Sequence, residues 1–191
     1  MIFSLEQAPP GLPEVGELQA LQQAGLAVAP TWVLVGVEAE FYQLGNLAEQ
    51  IRRAFAGVFG ARLDEEKLER ASAFAERLLR ESYLLPERAD EIRAALPEGP
   101  LLVRYAGEVP FGLEVGQQET LWALKRLWAS RWQLDAVLSR QPQLAPPEVA
   151  SLVQSVGPTL ALDEALSAQA REVLGRATQV WASEGRVVRV G

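Results

Sequence analysis

The stretch at residues 99–134 constrains the fold of this chain more than any other. It opens with a short apolar run at residues 101–103, and Arg104 follows this run directly. A loop with several glycines and Pro110 comes next, and an amphipathic pattern starts near Gln118. This order predicts a strand, a glycine-bearing loop and a helix, a unit whose backbone amides can bind an anion. Arg104 would add a cationic fork for a phosphate, and the alternative is a salt-bridged or solvated arginine.

Composition excludes several classes of function. The 191 residues carry 25 acidic and 18 basic side chains, so the net charge of −7 argues against a nucleic-acid partner. Cys and His are both absent from the sequence, which removes thiolate and imidazole chemistry. Because no apolar run is long enough to span a bilayer and no signal peptide begins the chain, we expect a cytoplasmic protein with no membrane partner. Most of the positive charge is arginine, which favours a GC-rich or thermophilic source.

Helical periodicity alternates with short apolar runs, and we predict a single α+β domain over residues 1–191 with a mixed β-sheet and helices packed on it. Asp64 and Asp163 precede helical patterns and read as N-caps. In the longest pattern, tryptophans and leucines repeat with helical spacing, which favours core packing over a stacking platform for adenine. The predicted buried stripe contains Leu121, Trp122, Leu124, Trp128, Trp132 and Leu138. Predicted helices cover 17–24, 37–44, 47–59, 64–83, 86–96, 118–140 and 163–184, and predicted strands cover 1–7, 26–35, 101–103, 149–156 and 186–190.

Several motifs resemble the N-terminal ATP-binding domain of phosphoenolpyruvate synthase and pyruvate phosphate dikinase. Val103-Arg104, the GQQET run at 116–120 and the LWAS run at 127–130 resemble that family's V-R-S-S-A, G-Q-Q-E-T and L-W-A-S. Residues 24–34 are similar to its A-G-L-P-V-P-P-G-F-V-V. Residues 150–156 resemble its A-V-V-V-Q-x-M-V strand. The resemblance spans most of the chain, although this chain is much shorter than the family domain.

This resemblance implies the first lobe of an ATP-grasp-like fold and ATP as the ligand. The implied nucleotide-binding residues are Arg104, Gly116, Gln117, Gln118, Thr120 and Gln154.

The chain departs from the family at the residues that carry its chemistry. Glu14 stands where the family has a lysine that contacts phosphates, and a carboxylate there would repel a triphosphate. Tyr105 and Ala106 replace two serines. The segment that supplies Mg²⁺ ligands in the family is missing, and no histidine is present to carry phosphate. We therefore assign no catalytic residue and no metal site. Asp163 and Glu164 fit a helix start better than a metal site.

Three functions remain open at this point. The first is a non-catalytic remnant of the nucleotide-binding domain that regulates or binds a partner protein. The second is the ATP-binding subunit of a split phosphotransferase whose metal-binding lobe and histidine domain are separate chains. The third is a small-ligand or anion sensor that uses the same loop without a metal. The oligomeric state is left open.

Overall fold

The computed structural model describes residues 1–108 and 114–191, except for the side chains of residues 114 and 115. The described residues have an α+β architecture. Pro110 of the predicted loop lies outside the described residues. The described residues form two antiparallel sheets, one of five strands and one of three. The predicted mixed sheet is therefore wrong for the described strands, since neighbouring strands of each sheet are antiparallel and the one parallel pairing of the described residues is the isolated bridge between Val28 and Val187. None of the described helices is both long and apolar enough to cross a membrane.

The five-stranded sheet has the spatial order β1-β2-β5-β3-β4. Its central strand pairs with two strands that are distant from it in sequence, in a register that places Arg104 opposite Leu152 and Leu102 opposite Gln154. Because side chains alternate between faces along a strand, Arg104 and Gln154 lie on the same face of the sheet. The strands are β1 (Ile2–Ser4), β2 (Thr31–Leu34), β3 (Leu101–Tyr105), β4 (Glu114–Val115) and β5 (Ser151–Ser155).

A layer of helices covers the other face of this sheet. Val103, Tyr105 and Val153 of the sheet pack against Trp128 and Phe41 in one apolar core. The helices of this layer are α2 (Val37–Gln43), α3 (Leu47–Ala54), α4 (Glu65–Glu81), α5 (Pro86–Ala95), α6 (Thr120–Ser130) and α7 (Leu134–Ser139).

The face that carries Arg104 is covered by the small sheet and two helices. Val33 and Leu152 of the large sheet share a second apolar core with Leu18 and Val187. The small sheet is therefore joined to the large one through a common core and through a parallel bridge between Val28, just before Thr31, and Val187 of the small sheet. These elements are α1 (Val15–Gln23), β6 (Ala161–Leu162), α8 (Glu164–Leu174), β7 (Val180–Ser183) and β8 (Arg186–Val190).

The long helix predicted over residues 118–140 is two helices, α6 and α7, joined by a turn. Trp128 and Trp132 are buried as the periodicity predicts. Trp122 and Leu138, however, keep 45% and 39% of their surface exposed, so the predicted buried stripe is wrong at both positions. Trp122 lies on the side of α6 opposite the buried Leu124 and Leu127, and the turn after Ser130 breaks the helical pattern before Leu138.

The final helix is shorter than the predicted range of 163–184. Asp163 begins it as predicted, because its carboxylate accepts the backbone N–H of Leu166 at 2.9 Å. The helix ends at Leu174 because Gly175 adopts a left-handed conformation, with φ of 66°. The chain then enters β7, a strand that the helical pattern concealed.

Candidate functional site

Arg104 lies between the two sheets with no exposed surface. Residue alternation along β3 directs its side chain away from the helix layer and toward β8. A guanidinium in such a place must satisfy its five N–H groups inside the protein, because an unpaired buried charge is very costly.

All five N–H groups of Arg104 have acceptors within the chain. Its Nη1 and Nη2 atoms donate to the two oxygens of Glu14 at 2.6 and 2.8 Å, in a bidentate ion pair. Nε donates to Oε1 of Gln154 at 2.7 Å. The remaining two N–H groups donate to the carbonyls of Tyr105 at 3.1 Å and Val188 at 2.8 Å. The salt-bridged alternative named above therefore describes this arginine.

Glu14 is equally well satisfied. Besides the two bonds from Arg104, its carboxylate accepts the backbone N–H of Val190 at 3.1 Å and that of Gly107. Glu14 itself has a φ of 57°, in the region that L-residues rarely adopt. The side-chain contacts hold this backbone conformation in place just before α1 begins.

Gln154 extends the network across the large sheet. Its amide nitrogen donates to Oγ1 of Thr31 at 3.0 Å and to the carbonyl of Val188 at 2.9 Å. Thr31 in turn donates to the carbonyl of Ala29 at 2.7 Å. We call Glu14, Thr31, Arg104 and Gln154 the buried polar network. It joins the segment before α1, the middle of the large sheet and β8.

The GQQET run lies elsewhere. It follows β4, whose Val115 pairs with Leu101 at the opposite end of β3 from Arg104, roughly 10 Å along the strand. Gln117 donates to the carbonyls of Arg93 and Leu96 at 3.0 and 2.6 Å and so closes the end of α5.

The remaining residues of the GQQET run lie at or just before the start of α6. Thr120 is buried and donates to the carbonyl of Gly116 at 3.2 Å, while Gln118 is exposed. The structure therefore brings Arg104 and Gln154 together but not residues 116–120. The nucleotide-binding role of all six residues stays a prediction.

The described residues hold no cluster of three or more metal-ligating side chains. Asp163 caps α8, and Glu164 reaches Arg171 at 3.8 Å on the exposed side of that helix.

A second polar cluster lies on the helix side of the large sheet, and the sequence pattern gave no signal for it. The hydroxyl of Tyr105 lies 3.0 Å from both carboxylate oxygens of Glu38, near the start of α2. Burial raises the pKa of Glu38 to about 7, although the hydrogen bond from Tyr105 opposes the shift. Arg131 stacks on the Tyr105 ring at 3.7 Å and donates to Glu108 at 2.9 Å.

A depression lined by Phe41, Leu85 and Arg88 lies between α2 and α5, and its volume is only about 150 Å³ even when space open to solvent is included. Pockets that enclose a small organic ligand usually have about 300–1,000 Å³. This depression is therefore too small to hold a nucleotide.

The chain matches no protein-family model and no curated protein sequence. The resemblance to the phosphoenolpyruvate synthase family therefore continues to rest on the motifs alone.

Proposed function

We propose that this chain is a non-catalytic, cytoplasmic module that works by binding a partner protein, built on a shortened form of the phosphoenolpyruvate synthase nucleotide-binding lobe. One observation supports the proposal above all. The arginine in the family's phosphate-binding position donates all five of its N–H groups within the chain, to Glu14, Gln154 and two carbonyls.

A phosphate would have to displace Glu14 to reach this guanidinium. The exchange would leave a carboxylate buried without its cation, beside a triphosphate of the same sign, and both changes are strongly unfavourable. Glu14 thus performs in the fold the charge pairing that a ligand phosphate would otherwise perform. Arg104 holds two sheets together instead of binding a substrate.

The experiment is isothermal titration of the full chain with ATP, with and without Mg²⁺. We expect no heat of binding at millimolar ATP in either condition. Tight Mg²⁺-dependent binding would overturn the proposal and favour the split phosphotransferase, with a separate chain supplying the metal lobe and the histidine. Binding of ATP without Mg²⁺ would favour the anion sensor.

If ATP does bind, two variants locate the site. Arg104→Ala removes the predicted phosphate contact. Arg186→Ala removes an exposed arginine at the β7–β8 turn and serves as the control. Loss of binding in the first variant alone would place ATP at the predicted site, provided that the variant still unfolds cooperatively.

A further inference from the structure

Aromatic rings and cations lie side by side on the exposed face of α6. Trp122 keeps 45% of its surface exposed, and Tyr83, just after α4, keeps 88%. The Arg126 guanidinium lies 4.5 Å from the centroid of the Trp122 ring. Lys125 Nζ lies 5.8 Å from the centroid of the Tyr83 ring and donates to the Ser82 carbonyl at 3.0 Å. We call Tyr83, Trp122, Lys125 and Arg126 the α6 patch.

The α6 patch places two neighbouring cations on a protein of negative net charge. Acidic side chains outnumber basic ones by 25 to 18, and most helix-surface cations have a carboxylate nearby, as Arg52 has Glu49 at 2.6 Å. Among the described side chains, no carboxylate pairs with Lys125 or Arg126. Two adjacent positive charges therefore remain available on a protein of net charge −7.

Both rings of the patch are open to solvent. Trp128 and Trp132 of this region are buried in the core, whereas Trp122 is exposed, and Tyr83 meets the neighbouring cation Lys125. Exposed Trp, Tyr and Arg side chains at one place are typical of the energetic centre of an interface, because the aromatic rings bury a large area with little loss of side-chain entropy.

We propose that the α6 patch docks an acidic segment of a partner protein, in which an aromatic or aliphatic side chain is flanked by Asp or Glu. The aromatic or aliphatic side chain of the partner covers Trp122 and Tyr83, and its flanking carboxylates pair with Lys125 and Arg126. This inference rests on the proposed function, which it deepens by naming the surface and the chemistry of the partner. A single-stranded nucleic acid offers the same stacking and charge, but the net charge of the chain repels an extended polyanion.

The test is selection from a phage-displayed library of random 12-residue peptides with the full chain as bait. We expect selected peptides to be enriched in Asp and Glu around an apolar residue. Trp122→Ala should weaken their binding at least tenfold, and so should the double variant Lys125→Gln/Arg126→Gln. The double variant Arg62→Gln/Arg186→Gln removes the same charge from exposed sites outside the patch and should bind as the unchanged chain does.

Three outcomes overturn the proposal: no enriched peptide, enriched peptides that are neutral or basic, or equal binding by the patch and control variants. Tighter binding of a 12-nucleotide oligothymidylate than of the selected peptides, lost in Trp122→Ala, also overturns it in favour of nucleic acid. ATP titration of the same samples separates the two proposals. Patch-dependent peptide binding together with ATP binding would leave the patch standing while the proposed function fails.

Discussion

At the scale of single residues, Glu14 and Arg104 show how a buried ion pair is made tolerable. The pair lies between two sheets, where removing two charges from water costs several kcal/mol per ion. Further hydrogen bonds offset this cost. Glu14 accepts two from backbone amides, and Arg104 donates to Gln154 and to two backbone carbonyls. Saturation of both groups makes the pair sensitive to any change in either partner.

The isosteric substitution Glu14→Gln tests this saturation. The amide keeps the shape of the side chain, but its NH₂ group must face N–H donors of Arg104 or of the backbone. We expect the free energy of unfolding to fall by about 3–5 kcal/mol, the usual cost of breaking a buried ion pair from one side. Urea unfolding followed by tryptophan fluorescence measures the change. Glu69→Gln, at an exposed position of α4, is the control, and a loss below about 1 kcal/mol in Glu14→Gln would contradict the account.

Glu38 predicts a pH dependence of stability. Its pKa is raised from 4.5 to about 7 in the fold, so the folded protein binds a proton that the unfolded chain releases. The resulting stabilisation is complete below about pH 4.5 and is lost as the pH rises through 7.

Glu38→Gln should abolish this contribution. Relative to that variant, the free energy of unfolding of the unchanged chain should fall by roughly 3 kcal/mol between pH 4.5 and 7.5. Chemical denaturation at several pH values measures the difference. Glu66→Gln, on the exposed side of α4, controls for the loss of an acidic residue. Parallel stability curves for the unchanged chain and Glu38→Gln would show that folding does not raise the pKa of Glu38.

At the scale of elements, local sequence signals set where helices begin. Asp64 accepts the backbone N–H of Lys67 at 3.0 Å at the start of α4, and Asp163 does the same for Leu166 at 2.9 Å at the start of α8. Both side chains satisfy an amide that the helix itself leaves unpaired. Pro86 opens α5 in the position where its missing N–H does no harm.

Removal of the cap at α8 should have a modest effect. We expect Asp163→Ala to lower the free energy of unfolding by about 1 kcal/mol, because the N–H of Leu166 then has only water as a partner. Thermal and urea unfolding measure the loss. Glu164→Ala, at the next position and exposed, should change stability by less than about 0.5 kcal/mol. An equal effect of the two substitutions would mean that the cap contributes nothing specific.

At the scale of the whole molecule, the buried polar network connects parts that are far apart in sequence. Glu14 and Val190 are 176 residues apart, and their hydrogen bond joins the start of α1 to the last strand. Arg104 and Gln154 both donate to the carbonyl of Val188, so two side chains of the large sheet hold the same point of β8. The two sheets should therefore open together rather than separately.

Hydrogen exchange tests this coupling. In Glu14→Ala, amides of β5 and β8 should exchange faster by a similar factor, although neither strand contains the substitution. Leu5→Ala is the matched control, because it removes a buried side chain from the apolar core that the two sheets share and leaves the buried polar network unchanged. Faster exchange in β8 alone would show that the small sheet opens independently of the large one.

The positions of most helices and strands follow from the sequence by itself, as do the caps at Asp64 and Asp163, because periodicity and capping act over a few residues. The sequence did not predict the turn after Ser130 or the strand after Gly175, because apolar residues continue through both segments with helical spacing. The sequence also set the limits on chemistry, since a chain without Cys or His cannot use either side chain.

Only the tertiary structure decided what the arginine of the central strand does. Glu14 lies 90 residues from Arg104, and no local pattern indicates that its carboxylate reaches β3. The same holds for Glu38 and Tyr105, which are 67 residues apart, and for the exposure of Trp122 on a helix whose other tryptophan, Trp128, is buried. Burial, ion pairing and a shifted pKa arise from neighbours in space, and these exist only once the layers have packed together.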